Sequence, residues 1–180
     1  MGSQGNFSFE NCVQDVVNLA SFCTKYQDSL QIDTANIVLF GHSMGGWICL
    51  KALQQLPAIK KGFALSTWNI YGDFKTVHSE AELIKIAAGG GEYFVLNSSI
   101  KDIFTPVLKK PGYFNLANDG NALAHKQIVM LDEHVYNKSI ADAIKKENKS
   151  YFNYQVWQTD HPFTNKRISL IKLVLSFLDQ

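Results

Sequence analysis

Ser43 stands in the run Val38, Leu39, Phe40, Gly41, His42, Ser43, Met44, Gly45, Gly46, Trp47, Ile48, where an uncharged apolar stretch gives way to residues at helical spacing. A serine on a sharp strand-to-helix turn projects its hydroxyl into the open, and bulky residues two before or two after it would collide. Gly41 and Gly45 occupy those two positions. The hydroxyl of a serine is a weak nucleophile at neutral pH. Attack on an acyl carbon therefore needs a histidine base and an acid to orient it. Two downstream residues supply those types in the order this turn architecture uses: Asp132 after one apolar stretch and His161 after the next. The pentad alone arises by chance in roughly one chain in twenty of this length. The ordered partners carry more weight than the pentad does.

Other residues of the same types compete for these roles. His42 points the wrong way along the turn to serve Ser43 and reads as a packed or hydrogen-bonded histidine. His78 and His125 fall in a long connection and are expected at the surface, and His134 shares a loop tip with Asp132. Asp160, adjacent to His161, points elsewhere, while Asp73, after the second strand, is the reserve acid. No histidine and carboxylate spacing suggests a metal site, and no cofactor is expected.

Several elements must position these groups. Ser8 caps an amphipathic helix expected from Phe9 to Tyr26, with Phe9, Val13, Val16, Ala20 and Cys23 on one face. Strands are expected at Asn36 to Phe40 (buried on both faces, because it is apolar and uncharged), Lys61 to Thr67, Lys126 to Leu131 and Phe152 to Thr159. Helices follow Ser43, run from a Ser139 cap to about Lys149, and close the chain over Arg167 to Leu178. Strands alternating with helices predict an α/β fold, a three-layer α/β/α sandwich around a mainly parallel sheet. The connection over 68–125 far exceeds the dozen or so residues of a helical crossover, and reads as a lid or cap insertion. In it, Ser79 with Glu82 forms a capping box for a helix ended by Gly89, Gly90 and Gly91. Each of its aromatics, Tyr71, Phe74, Tyr93, Phe94, Phe104, Tyr113 and Phe114, is expected in a core before a pocket.

Composition bounds the rest. With 180 residues, 46% hydrophobic content and no repeat, the chain is read as one domain over 1–180. A net charge of +1 and scattered lysine pairs give no electrostatic footprint for nucleic acid. No stretch reaches the roughly 20 apolar residues of a membrane span, and no secretory signal precedes the first helix, so a cytoplasmic location is expected. Asn6 also breaks the myristoylation pattern after Met1 and Gly2. Cys12 and Cys23 lie about 16 Å apart along one helix, too far for a disulfide, and Cys49 lies on the apolar side of the helix after Ser43. All three read as free thiols.

The stretch Gly41 to Gly46 after a strand, Asp132 to Val135 after another, and Asp160, His161, Pro162, Phe163 before a terminal helix resemble the α/β-hydrolase fold. The nearest branch is the dipeptidyl aminopeptidase, acylaminoacyl-peptidase and dienelactone hydrolase-like group of bacterial serine hydrolases. The resemblance implies Ser43 as nucleophile, Asp132 as acid, His161 as base and the Met44 N–H as an oxyanion donor. It also implies that the chain begins where the family is nearly half complete, Gly2 to Phe7 resembling the loop after its fourth strand. On that reading the first strands and the loop with a second oxyanion N–H are missing. The strand before Ser43 then becomes an exposed edge through which two copies could pair.

Two functions follow from these readings. One is a serine hydrolase cleaving an acyl ester, or the amide of a short peptide, through an acyl-Ser43 intermediate. The other is a non-catalytic, truncated hydrolase domain that binds a partner or self-associates.

Overall fold

The computed structural model describes residues 5–91 and 93–179 of the chain. The part of the expected entry loop at 2–4 lies outside them, as does the Met1–Gly2 start. Four strands form one sheet: β1 (Val38–His42), β2 (Lys61–Leu65), β3 (Gln127–Asp132) and β4 (Tyr151–Val156). They are parallel throughout and adjacent in sequence order, with Gly41 opposite Ala64 and Asp132 opposite Val156. Parallel neighbours need crossovers, so the chain leaves and returns through helices on the sheet's faces.

Those helices begin with α1 (Phe9–Lys25) and the single turn α2 (Gln27–Leu30), followed by α3 (Met44–Gln55) between β1 and β2. The connection from β2 to β3 holds α4 (Ile70–Phe74), α5 (Glu80–Gly90), α6 (Ile100–Lys109) and α7 (Pro111–Phe114). Helix α8 (Lys138–Glu147) joins β3 to β4, and α9 (Arg167–Leu178) ends the described chain. Ser8 caps α1 by accepting from the Asn11 N–H at 3.0 Å, and Ser79 caps α5 by accepting from Glu82 at 3.2 Å.

Strand boundaries move for local reasons. β1 starts two residues later than its composition suggests. Asp33 accepts from the Ala35 N–H at 2.9 Å and folds Thr34–Asn36 into a 3-10 turn. β2 stops at Leu65 because Ser66 turns to φ 41°, outside extended backbone. Helix α8 starts at Lys138 rather than after a Ser139 cap. Asn137 occupies the cap position, but its side-chain amide is used elsewhere, on the Thr67 carbonyl at 2.7 Å.

Strand pleating sorts the core into two. Ile128 and Met130 face the larger cluster, with Phe9 from α1, Trp47 and Leu50 from α3, and Ile144 from α8. Val129 and Leu131 face the smaller one, with Phe63, Leu65, Phe163 and Phe177 beneath α9. β1 is not buried on both faces. Phe40 is 52% exposed and stacks on Phe63 with ring centroids 5.1 Å apart. Burial on both faces holds for a central strand, and β1 is the sheet's edge.

The connection over 68–125 packs into the main core. Phe104 and Phe114 meet Phe9 edge-on at 5.6 and 5.7 Å, and Phe74 is buried with them. Tyr71, Tyr93 and Tyr113 are half-buried against that core, while the Phe94 side chain lies outside the described groups. A buried ion pair, Lys51 to Asp119 at 3.0 Å, ties α3 to this segment, with Lys51 Nζ 4.4 Å above the Tyr113 ring. The three thiols are free, and burial pushes Cys49 up to about 12. No helix among the described residues is long and apolar enough to cross a membrane.

Candidate active site

Ser43 sits between β1 and α3 with φ 58° and ψ −119°, a conformation that costs a non-glycine residue about 1–3 kcal/mol. Its surroundings hold it there. The Ser43 N–H donates to the Leu65 carbonyl at 2.8 Å, and its own carbonyl accepts from the Trp68 N–H at 3.0 Å. A Cβ at Gly41 would lie 1.9 Å from the Gly45 carbonyl oxygen, so only glycine fits there. The crowding expected at Gly45 is absent, since a Cβ there would meet nothing within 4 Å. It falls instead on Gly46, whose Cβ would reach Thr67 Oγ1 at 2.7 Å. The tight position is set by the approach of α3 to the end of β2, which the spacing around Ser43 does not reveal.

Ser43, Ser66, Trp68, Glu133, Tyr136 and His161 line a cavity of about 190 Å³ at the C-terminal end of the sheet. His161 is half-exposed, and its Nδ1 lies 2.8 Å from Glu133 Oε1. The other oxygen, Oε2, accepts from the Ser66 hydroxyl at 2.5 Å. Burial works most strongly against ionising Glu133, whose side chain is 13% exposed, but the hydrogen bonds from Ser66 and His161 together outweigh it and hold its carboxyl below the usual range. An ionised Glu133 makes Nδ1 the donor, which leaves Nε2 as the basic nitrogen of the ring. No hydrogen bond joins Ser43 Oγ to the ring among the described residues.

Asp132, expected to orient His161, makes no hydrogen bond with it among the described residues. The carboxylate on the ring belongs to the next residue, and the pleat explains why. Asp132 continues the face of Ile128 and Met130, whereas Glu133 follows Val129 and Leu131 toward the side where Phe163, two residues after His161, is buried. Asp132 Oδ1 instead accepts from Asn137 Nδ2 at 3.2 Å. Its side chain is 1% exposed, and burial raises its pKa to about 6 against the hydrogen bond from Asn137. Asp132 Oδ2, Asn137 Oδ1, Thr67 Oγ1 and the Tyr154 hydroxyl are buried without a hydrogen-bond partner among the described residues.

The remaining histidines and acids have plain positions. His42 Nε2 lies 2.9 Å from the His161 carbonyl oxygen, with the two rings 4.5 Å apart, so it braces the loop that carries His161. Asp160 Oδ1 accepts from the Thr164 N–H at 2.6 Å, and Phe163 turns the loop in the left-handed region at φ 54°. His78 and His125 are exposed. His134 reaches Glu133 only at 3.8 Å. Met44 opens α3, so its N–H has no carbonyl four residues back within the helix. Among the described residues, no three His, Cys, Asp or Glu side chains converge to hold a metal ion.

No protein-family model matches the chain, and no curated protein sequence matches it. Solved structures do. A carboxylesterase of the thaumarchaeon Nitrososphaera gargenis matches with a TM-score of 0.53 at 12% identity, over 99% of this chain and 75% of that one. Acetyl xylan esterase 1 from Thermoanaerobacterium sp. JW/SL YS485 matches with 0.53 at 17% identity, over 99% of this chain and 59% of its own. The acetyl xylan esterase from Paenibacillus sp. R4 gives 0.51 at 13% identity, over 97% and 59%. The chain thus spans less than two thirds of either acetyl xylan esterase. At these identities the likeness is one of fold: a parallel sheet flanked by helices, as in α/β-hydrolase structures.

Proposed function

We propose that the chain is a serine hydrolase that cleaves an acyl ester through an acyl-Ser43 intermediate. The observation that most supports this is the His161 to Glu133 contact at 2.8 Å, in one cavity with a serine held at φ 58°. Fold neighbours that are esterases agree with it.

Ser43 Oγ bonds to the acyl carbon as its proton passes to His161 Nε2. The oxyanion of the tetrahedral intermediate accepts from the Met44 N–H, a donor whose loss costs about 10² to 10³ in turnover in such sites. His161 then gives the proton to the departing alkoxide, and the alcohol leaves. Water attacks the acyl carbon, again losing its proton to Nε2, and the carboxylic acid departs as Ser43 regains its hydrogen. Glu133, ionised and fixed by Ser66, keeps the ring in the tautomer with Nδ1 protonated and stabilises the imidazolium that forms. Asp132, the acid that spacing favoured, is assigned no proton transfer on this reading.

A fluorophosphonate probe tests the proposal, since it traps a serine that a histidine has activated. The folded protein is expected to label, and Ser43→Ala to abolish labelling. A folded sample that does not label would leave the chain as a binding module on a hydrolase fold.

A further inference from the structure

One carboxylate near the site serves neither the base nor the nucleophile. Asp73, on the first turn of the insertion, accepts from Trp68 Nε1 at 2.6 Å on one oxygen and from the Tyr136 hydroxyl on the other. Trp68 follows β2 and Tyr136 follows β3, so a single side chain joins the two aromatics that line the cavity. Both are otherwise well placed to stay put or to swing. The Trp68 backbone is pinned to the Ser43 carbonyl at 3.0 Å, and its ring lies against Phe9 at 5.7 Å. Tyr136, by contrast, is 44% exposed, and among the described residues its aromatic neighbour is His134, at 5.9 Å. Among the described residues, the hydrogen bond to Asp73 is the one that fixes the Tyr136 hydroxyl.

The position of Asp73 is itself built. Asn69 caps α4 by accepting from the Gly72 N–H at 2.8 Å, and a Cβ at Gly72 would strike the Asn69 side chain at 2.6 Å. Glycine at that point lets the turn close tightly, which delivers the next residue, Asp73, to the rim. The cavity is small, about 190 Å³, and opens to solvent. Beyond the two aromatics its walls are polar, Ser66, Thr67, Asn69 and Asn137 among them. A long alkyl chain would meet a cross-tied aromatic rim on one side and hydrogen-bonding groups on the other, with no apolar channel to follow.

We infer that Asp73, by tying Trp68 to Tyr136 across the rim of the cavity, limits the ester accepted beside Ser43 to one bearing a short substituent on that side. Asp73 is a positioning residue: it touches the walls and not the reacting atoms. The inference rests on the serine-hydrolase reading for its chemistry, but the size limit is a property of the cavity and can be read without turnover.

The test has two arms. In the first, kcat/KM is measured for p-nitrophenyl acetate against hexanoate, and for ethyl against hexyl acetate, in the wild-type protein, Asp73→Ala and Asp73→Asn. The wild type is expected to favour the short member. Asp73→Ala should shift the long-to-short ratio upward by about tenfold in one of the two series, and Asp73→Asn, which keeps one acceptor, should fall between. In the second arm, binding of acetate and hexanoate is followed by NMR in Ser43→Ala with and without Asp73→Ala. Opening of the rim is expected to let hexanoate bind at least as well as acetate does. If the wild type turns over no ester, the hydrolase reading fails while the binding arm still decides the size limit. Unchanged length preference in both arms on removing Asp73, in variants that remain folded by circular dichroism, would overturn the inference.

Discussion

Two polar layers meet at the end of β3, one residue apart, and they behave in opposite ways. In the outer layer His161, Glu133 and Ser66 form a chain in which both oxygens of the carboxylate are paired, at 2.8 and 2.5 Å. In the inner layer Asp132 keeps one hydrogen bond, from Asn137 at 3.2 Å, and its second oxygen has no partner among the described residues. Burial penalises both carboxylates. Hydrogen bonds outweigh it at Glu133, which stays ionised, and fall short at Asp132, whose pKa rises to about 6. Adjacent residues of the same chemistry thus differ because Asp132 is the more deeply buried, at 1% exposed against 13% for the Glu133 side chain, so burial outweighs its hydrogen bonds.

The largest effect that could break this contrast is kinetic. Glu133→Gln replaces the anion that holds the Nδ1–H tautomer, and is expected to lower kcat on a short ester by about 10³ to 10⁴. Asp132→Asn preserves the acceptor facing Asn137 and is expected to cost less than tenfold. Steady-state kinetics on the two purified variants separates the layers directly. The reverse ranking would return the acid role to Asp132.

The placement of Ser43 after β1 and of His161 after β4 was legible because composition and capping residues mark the ends of elements. The strand cores were legible too: Phe63, Val129 and Met130 carry no charge and stand between turn residues, and all three are buried in the strands expected. Choosing between Asp132 and Glu133 needed the pleat phase of β3 relative to the His161 loop. That phase shows only in the packing, where Phe163, two residues past the histidine, joins Val129 and Leu131 in one cluster. The crowding at Gly46 and the link from Asp73 to Tyr136 depend on how separate loops approach one another. No local pattern encodes such distances.

The next effect is on stability, and its sign follows from the inner layer. Asp132 titrates near 6 in the folded chain and near about 3.9 when unfolded. Between those values the folded state binds more protons than the unfolded one, so stability falls as pH rises. The loss amounts to about 3 kcal/mol by pH 7. Asp132→Asn carries no such charge. Unfolding free energies from urea titrations at pH 4 to 8 are expected to show the variant gaining on the wild type through that window, with the two parallel above it. A difference that stays flat from pH 4 to 7 would mean that Asp132 ionises in the folded chain as readily as in the unfolded one.

The smallest effect probes the outer layer through Ser66. Its hydroxyl serves Glu133 Oε2, and its backbone holds φ 41°, so one residue contributes both a donor and a strained turn. Ser66→Ala removes the donor and keeps the strain. Losing a hydrogen bond to a charged group costs about 1.5 to 3 kcal/mol, and part of that reaches the transition state through the orientation of His161, so kcat is expected to fall about tenfold. The pKa of Glu133 rises at the same time, because a bond that favoured its ionised form is gone. The Glu133 carboxyl, followed by NMR, then titrates at higher pH than in the wild type. Ser66→Gly loses the same donor but relieves the positive φ, so it should match Ser66→Ala in kinetics while unfolding at a higher denaturant concentration. Identical stability of the two variants would show that the turn at Ser66 carries no strain. A Glu133 titration that does not move would show that the Ser66 hydroxyl does not help hold Glu133 ionised.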